Sequence, residues 1–321
     1  MKKVLIFGGT GFVGSMLCEK LNQWPCHVSV ATRRADNARH LQSLPGLEVL
    51  EIKLSDSAAL AELVAGHDAV VNLIAILHGS EAAFDSAHVQ WPLALVQACK
   101  TAGVRRLVHL SALGAALDSA SKYQRSKARG EAALLNSGLD VTLLRPSVIF
   151  GANDKFLNSF AKLQQFFPVI PLAASQARFQ PVWVDDVARA AVHCLQETST
   201  IGQVYELCGP DIFSLKQLMQ LAGAYAGINH GRGRAVLPLP DALARLQAFV
   251  MELAPGDPVL SRDNLDAMKT DNIASAPSAG LLGLSALGIA PSSLTAIGPS
   301  YLGTRGRRSE LCTLRKTAGR F

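Results

Sequence analysis

The sequence has no run of about twenty apolar residues, so no membrane-spanning helix is expected from it. Its six cysteines, Cys18, Cys26, Cys99, Cys194, Cys208 and Cys312, include no Cys-x-x-Cys pair and no histidine at ligand spacing. Scattered thiols of this kind exclude a zinc site and read as small apolar residues of a reducing compartment. No internal repeat stands out. The first strand begins within the opening residues, leaving no room for a signal or transit peptide, so a cytoplasmic chain is expected. Charge is missing from residues 273–304, but Pro277, Pro291 and Pro299 interrupt that stretch and rule it out as a span. Acids are scarce beyond it, where Arg305, Arg307, Arg308, Arg315, Lys316 and Arg320 face Glu310 alone. The net charge of +6 therefore belongs mainly to a tail. No nucleic-acid groove is expected across the body.

What the chain does have is length and apolar content. Its 321 residues are 49% hydrophobic, enough for one large α/β domain or a domain with a smaller appendage. Strand-like runs fall at 4–7, 28–32, 48–52, 69–74, 106–110 and 141–144, separated by helical stretches such as 60–64 and 92–102. This alternation predicts an α/β doubly wound parallel sheet of the Rossmann type. Ligands of such sheets bind beyond the carboxyl ends of the strands.

The first strand runs straight into Gly8, Gly11 and Gly14, and a helical pattern follows through Phe12, Val13, Met16 and Leu17. Strand, glycine turn and helix start form a dinucleotide fingerprint. Gly8 allows the tight turn, Gly11 lets the backbone approach a pyrophosphate, and Gly14 lets the helix lie close to the strand. The free amides of the helix N-terminus then face the phosphates. The alternative is a glycine turn that only packs a helix on a sheet. At the end of the second strand an NAD-binding chain carries an acid for the ribose hydroxyls. This chain has Thr32-Arg33-Arg34 instead. Guanidinium forks pair with a 2′-phosphate, so NADP(H) is expected over NAD(H), unless both arginines are solvated loop residues.

Ser111 closes the fifth strand, and residues 121–131 read as a helix in which Tyr123 and Lys127, four apart, share a face. A free tyrosine titrates near pH 10. A nearby ammonium and an oxidised nicotinamide would lower that value. Tyr123 would then exchange a proton with a substrate oxygen while hydride moves at the adjoining carbon, and Ser111 would hydrogen-bond the same oxygen. A surface tyrosine–lysine pair is the alternative. His78 and His88 flank the loop after the fourth strand, within reach of a substrate, whereas His109 reads as a structural histidine. Asp185-Asp186 read as a helix start rather than a metal site. Residues 154–167 read as an amphipathic helix whose Phe156 and Phe160 belong to a core or face a lipid-like or quinone-like ligand. Residues 241–253 read as a helix apolar on most sides, packed on the body or turned to a partner or membrane interface. With the basic tail, such a segment would suit peripheral contact with an anionic membrane.

The glycine turn, Ser111, Tyr123, Lys127 and Leu144-Arg-Pro-Ser-Val-Ile-Phe-Gly151 resemble a short-chain dehydrogenase/reductase of the extended or atypical, epimerase/dehydratase-like kind. His109-Leu-Ser-Ala-Leu-Gly114, Asp154-Lys-Phe-Leu-Asn158 and Tyr205-Glu-Leu-Cys-Gly-Pro210 are similar to the branch that holds the NADPH-binding accessory subunit of respiratory complex I and its bacterial relatives. The resemblance implies a nucleotide-binding domain over residues 1–150, a smaller substrate or partner subdomain interleaved with the sheet over 151–302, and a basic tail over 303–321. It implies cofactor contacts by Gly8, Thr10, Gly11, Phe12, Val13, Gly14, Arg33, Arg34, Leu54, Asn72, Ala75, Lys127, Pro146 and Val148, with Ser111, Tyr123 and Lys127 as the catalytic set. Two departures stand out. Lys53 replaces an acid near the third strand's end, with Asp56 following late, and only twelve residues separate Ser111 from Tyr123. The resemblance thus implies an NADP(H)-dependent oxidoreductase acting on a small carbonyl or quinone-related substrate. It also admits a nucleotide-bound module of a respiratory or quinone-related complex on the inner face of a respiratory membrane. A nucleotide-sugar epimerase or dehydratase, with Arg178 as its best phosphate-binding cation, is a weaker third.

Overall fold

The computed structural model describes residues 2–52, 57–253, 258 and 260–303. Its central sheet has eight strands, all parallel: β1 (Lys3–Phe7), β2 (His27–Thr32), β3 (Leu47–Glu51), β4 (Ala69–Asn72), β5 (Arg106–Leu110), β6 (Asp140–Pro146), β7 (Val204–Leu207) and β8 (Leu282–Gly283). Their order is β8-β7-β6-β5-β4-β1-β2-β3. The six strands read from the sequence are all present. β7 and β8 were not anticipated: Glu206 interrupts the apolar run of one, and the other is only two residues long. β1 is buried from Val4 to Phe7 because strands lie on both sides of it and helices cover both faces, which explains its unbroken apolar run.

Five helices flank this sheet: α1 (Phe12–Leu21), α2 (Ser57–Val64), α3 (Trp91–Ala102), α4 (Lys122–Leu135) and α5 (Val184–Gln196). Leu5, Phe7, Leu60, Leu95, Leu107 and Leu134 form the heart of the core. Phe7 meets Trp91 edge to face, with ring centroids 5.0 Å apart. Asp185 and Asp186 occupy the first turn of α5. Asp185 pairs with Lys20 of α1, and Asp186 with Arg189 one turn on.

The chain divides into two compact units. The first holds residues 1–147, 184–208 and 274–290, and the second holds 148–183, 209–273 and 291–321. The uncharged stretch is shared between them, supplying β8 to the first and the helix Leu294–Leu302 to the second. In the second unit Phe150, Leu157, Phe160, Leu215, Leu218 and Met219 make a core. Phe156 packs on Phe160 and Phe179 at 4.5 and 5.9 Å, so the aromatic stripe is packing. Its helix is Leu157–Phe166, shorter than the sequence pattern indicated. The Asp154 carboxylate accepts the N–H groups of Gly151, Phe156 and Asn158, fixing a turn where the helix was expected to begin.

α3 is preceded without interruption by a helix Glu81–Asp85 and a π-helical turn Ser86–Gln90. The wider turn pushes the carbonyl of His88 towards α4. A Cβ on Gly130 of α4 would lie 1.9 Å from that oxygen. Gly130→Ala is expected to lower stability by about 3 kcal/mol through overpacking, read as an earlier urea midpoint with an unchanged m-value.

Candidate functional site

Gly8 sits at φ +81°, open to glycine, and its carbonyl accepts the N–H of Gly11 at 3.1 Å. Gly11 is the N-cap of α1 and is exposed. A Cβ on Gly14 would fall 2.3 Å from the oxygen of Gly8, so only glycine lets helix and turn approach this closely. The turn also needs Gly9, which the sequence reading passed over: a Cβ there would meet Val30 at 2.8 Å. Thr10, Phe12 and Val13 are half-buried in the turn and the first turn of α1. That turn contains no acid, so nothing on the helix neutralises its amino end. These residues fit a pyrophosphate.

Thr32 shapes the end of β2 by donating its hydroxyl to the carbonyl of Arg34 at 3.0 Å. Arg33 and Arg34 are exposed, and neither guanidinium has an ion-pair partner among the described residues. Glu51 of β3 takes the N–H of Ala35 instead. Ser15 of α1 ties this loop down through His40, at 2.8 Å, a contact no sequence motif announces. Lys53, Leu54 and Asp56 lie outside the described residues.

Asn72, at the end of β4, is fully buried and engaged. Its amide nitrogen bonds His109 Nδ1 at 3.0 Å, and its oxygen accepts from the Trp91 indole N–H at 3.0 Å and from the Ile74 N–H at 3.2 Å. The side chain therefore fixes the start of the following loop and is not turned to a ligand. Ala75, on that loop, is exposed. His88, expected within reach of a substrate, points inward. Its Nε2 accepts the Ile76 N–H at 3.2 Å, which leaves Nδ1 as the donor to Ser126 Oγ at 2.8 Å. Burial, helped by the charge of Lys127, pushes His88 down to about 3. His109 is held well below the usual imidazole value by burial and the same charge, in keeping with its structural reading.

The three catalytic candidates lie just after β5 and on α4. Ser111 is buried, and its Oγ has no hydrogen-bond partner among the described residues, while its N–H is fixed by the carbonyl of Leu144 at 2.7 Å. Tyr123 opens α4 behind the Ser121 N-cap. Its ring meets His88 and Phe84 edge to face, at 5.4 and 5.9 Å. Lys127, one turn further, is 1% exposed and donates Nζ to the carbonyl of Leu110 at 2.9 Å. Glu131 follows one turn later and is held by Arg145 through two hydrogen bonds. Pro146 is buried at the end of β6; Val148 opens the second unit, its N–H donating to Asn272.

Burial sets the titration of this group. Burial pushes the Tyr123 phenol up to about 12. Burial brings Lys127 down to about 8, against the opposing pull of Glu131. The ammonium bonds a backbone carbonyl, and desolvation dominates both groups. At neutral pH the site thus presents a protonated phenol, a buried ammonium and a hydroxyl without a partner. The phenol can donate a proton and the hydroxyl a hydrogen bond to a developing oxyanion. Arg178, the cation singled out for a sugar nucleotide, forms a two-pronged pair with Asp271.

The sequence pattern of the NAD dependent epimerase/dehydratase family matches residues 4–208. The chain is 32% identical, over 84% of its own length and 70% of the relative's, to NADH dehydrogenase [ubiquinone] 1 alpha subcomplex subunit 9, mitochondrial, of Arabidopsis thaliana. It is 26% identical to an NAD(P)H azoreductase of Xenophilus azovorans, over 79% of this chain and 88% of that one. Among solved structures, an NADPH-dependent quinone oxidoreductase of Escherichia coli, complexed with NADPH, superposes with a TM-score of 0.73 at 22% identity, covering 93% of this chain and 99% of that one.

The buried ammonium makes a prediction of sign. Lys127 releases its proton at about 8 in the folded chain against an ordinary lysine value of 10.5, so between these values the unfolded chain holds the extra proton and stability rises with pH. Below that window the charged form costs the fold on the order of 3 kcal/mol. Lys127→Met is expected to melt no earlier than the native chain at pH 7 and to lack the rise above pH 8, measured by thermal unfolding across that range.

Proposed function

The chain belongs to the NAD dependent epimerase/dehydratase family, and from that premise we propose that it is an NADP(H)-dependent oxidoreductase reducing a small carbonyl or quinone-related substrate. The observation that carries this reading is the Ser111 hydroxyl, buried and without a partner beside the Tyr123–Lys127 helix. A buried hydroxyl lacking an acceptor or donor is costly unless a ligand completes it. The family and the NAD(P)H azoreductase relative support a nicotinamide dinucleotide as cofactor. Gly8, Gly11 and Gly14 would hold its pyrophosphate, with Thr10, Phe12 and Val13 along the turn. Arg33 and Arg34 would hold a 2′-phosphate, Ala75 would line the nicotinamide side, and Pro146 and Val148 would back the carboxamide.

The bound nicotinamide would supply hydride. Ser111 would donate a hydrogen bond to the substrate oxygen, and Tyr123 would pass its phenolic proton to that oxygen as charge develops. A phenol that is protonated at rest suits reduction. Lys127 would keep a positive charge beneath the phenolate until a proton returns from solvent. We take the second unit as the substrate or partner subdomain.

A second reading is a nucleotide-holding module of a respiratory or quinone-related complex, at the inner face of the respiratory membrane. The names of the complex I subunit relatives favour it. Dinucleotide binding without turnover would still raise stability by mass action.

Turnover should be measured as NADPH oxidation against quinones, aldehydes and ketones. Tyr123→Phe is expected to lower kcat by roughly a thousandfold with the nucleotide affinity retained. The rate of the native chain is expected to fall above about pH 8 as Lys127 discharges. A large thermal shift with NADPH and no turnover on any substrate would favour the module. Arg33→Ser with Arg34→Ser is expected to weaken NADPH about 10- to 100-fold and leave NADH nearly unchanged. Equal losses for both nucleotides in calorimetry would refute the 2′-phosphate role.

A further inference from the structure

The helix Asp241–Glu252 is packed with its large side chains outward. Its inner face carries Ala244 and Ala248, which pack with Ala173 and Leu265. Its outer face carries Leu243, Leu246, Val250 and Leu253 at one helical spacing, with Phe249 beside them. Leu246 and Val250 are each 58% exposed and Leu253 70%, against 0% for Ala248. A helix that only packed on its own unit would turn the leucines in and the small or polar residues out. Leu237 on the preceding strand is also exposed, as are Phe166, Phe167 and Val169 at and after the end of the helix Leu157–Phe166. So many large apolar groups on one unit mark a surface that something apolar covers.

The charges of the same unit say what kind of surface covers it. Lys162 stands one helical turn before Phe166, and Arg232 stands just before the strand Ala235–Pro238. Both are exposed and have no ion-pair partner among the described residues. By contrast, Arg245 and Arg262 are neutralised by Asp266 and Glu252. Apolar side chains that enter an acyl layer, on a unit that also carries unpaired cations for headgroups, are the pattern of a surface helix on an anionic bilayer. We propose that the outward face of the helix Asp241–Glu252 rests on a membrane containing anionic lipid. This gives the membrane placement proposed above a definite surface, and it stands or falls separately from the reading of the dinucleotide turn.

The 321-residue chain would be sedimented with vesicles of phosphatidylcholine alone and of phosphatidylcholine mixed with phosphatidylglycerol. Binding to the mixed vesicles is expected, weakened about 30-fold or more by Leu246→Glu with Val250→Glu. It should weaken about tenfold with Lys162→Glu and Arg232→Glu, or in high salt. All these residues are exposed, so the variants should keep the native thermal shift with NADPH. That shift reports on the dinucleotide turn independently of lipid. Binding that ignores the glutamates, equal binding to uncharged vesicles, or no binding to either overturns the proposal. A dimer in sedimentation equilibrium that the glutamate pair dissociates also overturns it, and assigns the face to a second copy.

Discussion

An ammonium group without water must be surrounded by acceptors and shielded from other positive charges. Lys127 imposes that condition on the end of the sheet. The Leu110 carbonyl, at the tip of β5, accepts from its Nζ, and Glu131 stands one turn away, itself fixed by Arg145. The two imidazoles nearby, His88 and His109, are both held neutral. A neutral His109 can accept from the Asn72 amide, which turns the Asn72 oxygen to Trp91 and Ile74. A neutral His88 can accept from Ile76 and donate to Ser126. Burial, with the Lys127 charge adding to it, keeps both rings neutral, and their hydrogen bonds then fix the tautomer of one ring, the orientation of an amide and the path of the loop after β4.

The parts of this arrangement that were legible beforehand share a local origin. The glycine turn, the six leading strands and the Tyr123–Lys127 face each follow from residues a few positions apart, whose spacing alone carries the signal. What escaped depends on long-range contact. Asn72 was expected to face a ligand, and only the positions of Trp91 and His109 show that its amide is already engaged. His88 looked accessible because it follows a loop; the π-helical turn that rotates it inward has no sequence signature, and the nearest hint is Gly130 on another helix. The phenol is raised by burial, and the Lys127 ammonium bonds a backbone carbonyl, neither of which local spacing reveals. Leu54 and the tail cations lie outside the described residues.

The two units handle charge and apolar surface differently. In the first, buried polar groups close on one another, as Arg106 does with the carbonyl of Asp140 and the hydroxyl of Thr142. In the second, large apolar side chains remain outside while alanines fill the inner face of a helix. Unpaired polar groups in a core and bare leucines on a surface are opposite departures from a self-sufficient fold. Ser111 is an instance of the first kind and the helix Asp241–Glu252 of the second.

The strand order also has a consequence for synthesis on the ribosome. β6 is complete at Pro146, but its outer neighbour β7 begins only at Val204 and β8 only at Leu282. Until the chain has grown past Leu207, the edge of β6 that will pair Leu143 with Val204 has no partner. Such an edge, flanked by the buried Val141, Leu143 and Leu144, can pair with the same edge of a neighbouring nascent chain. Chaperone demand should therefore peak while the residues between the two strands are being translated. A ribosome stalled in that interval would release a nearly complete nucleotide-binding half with an adhesive side.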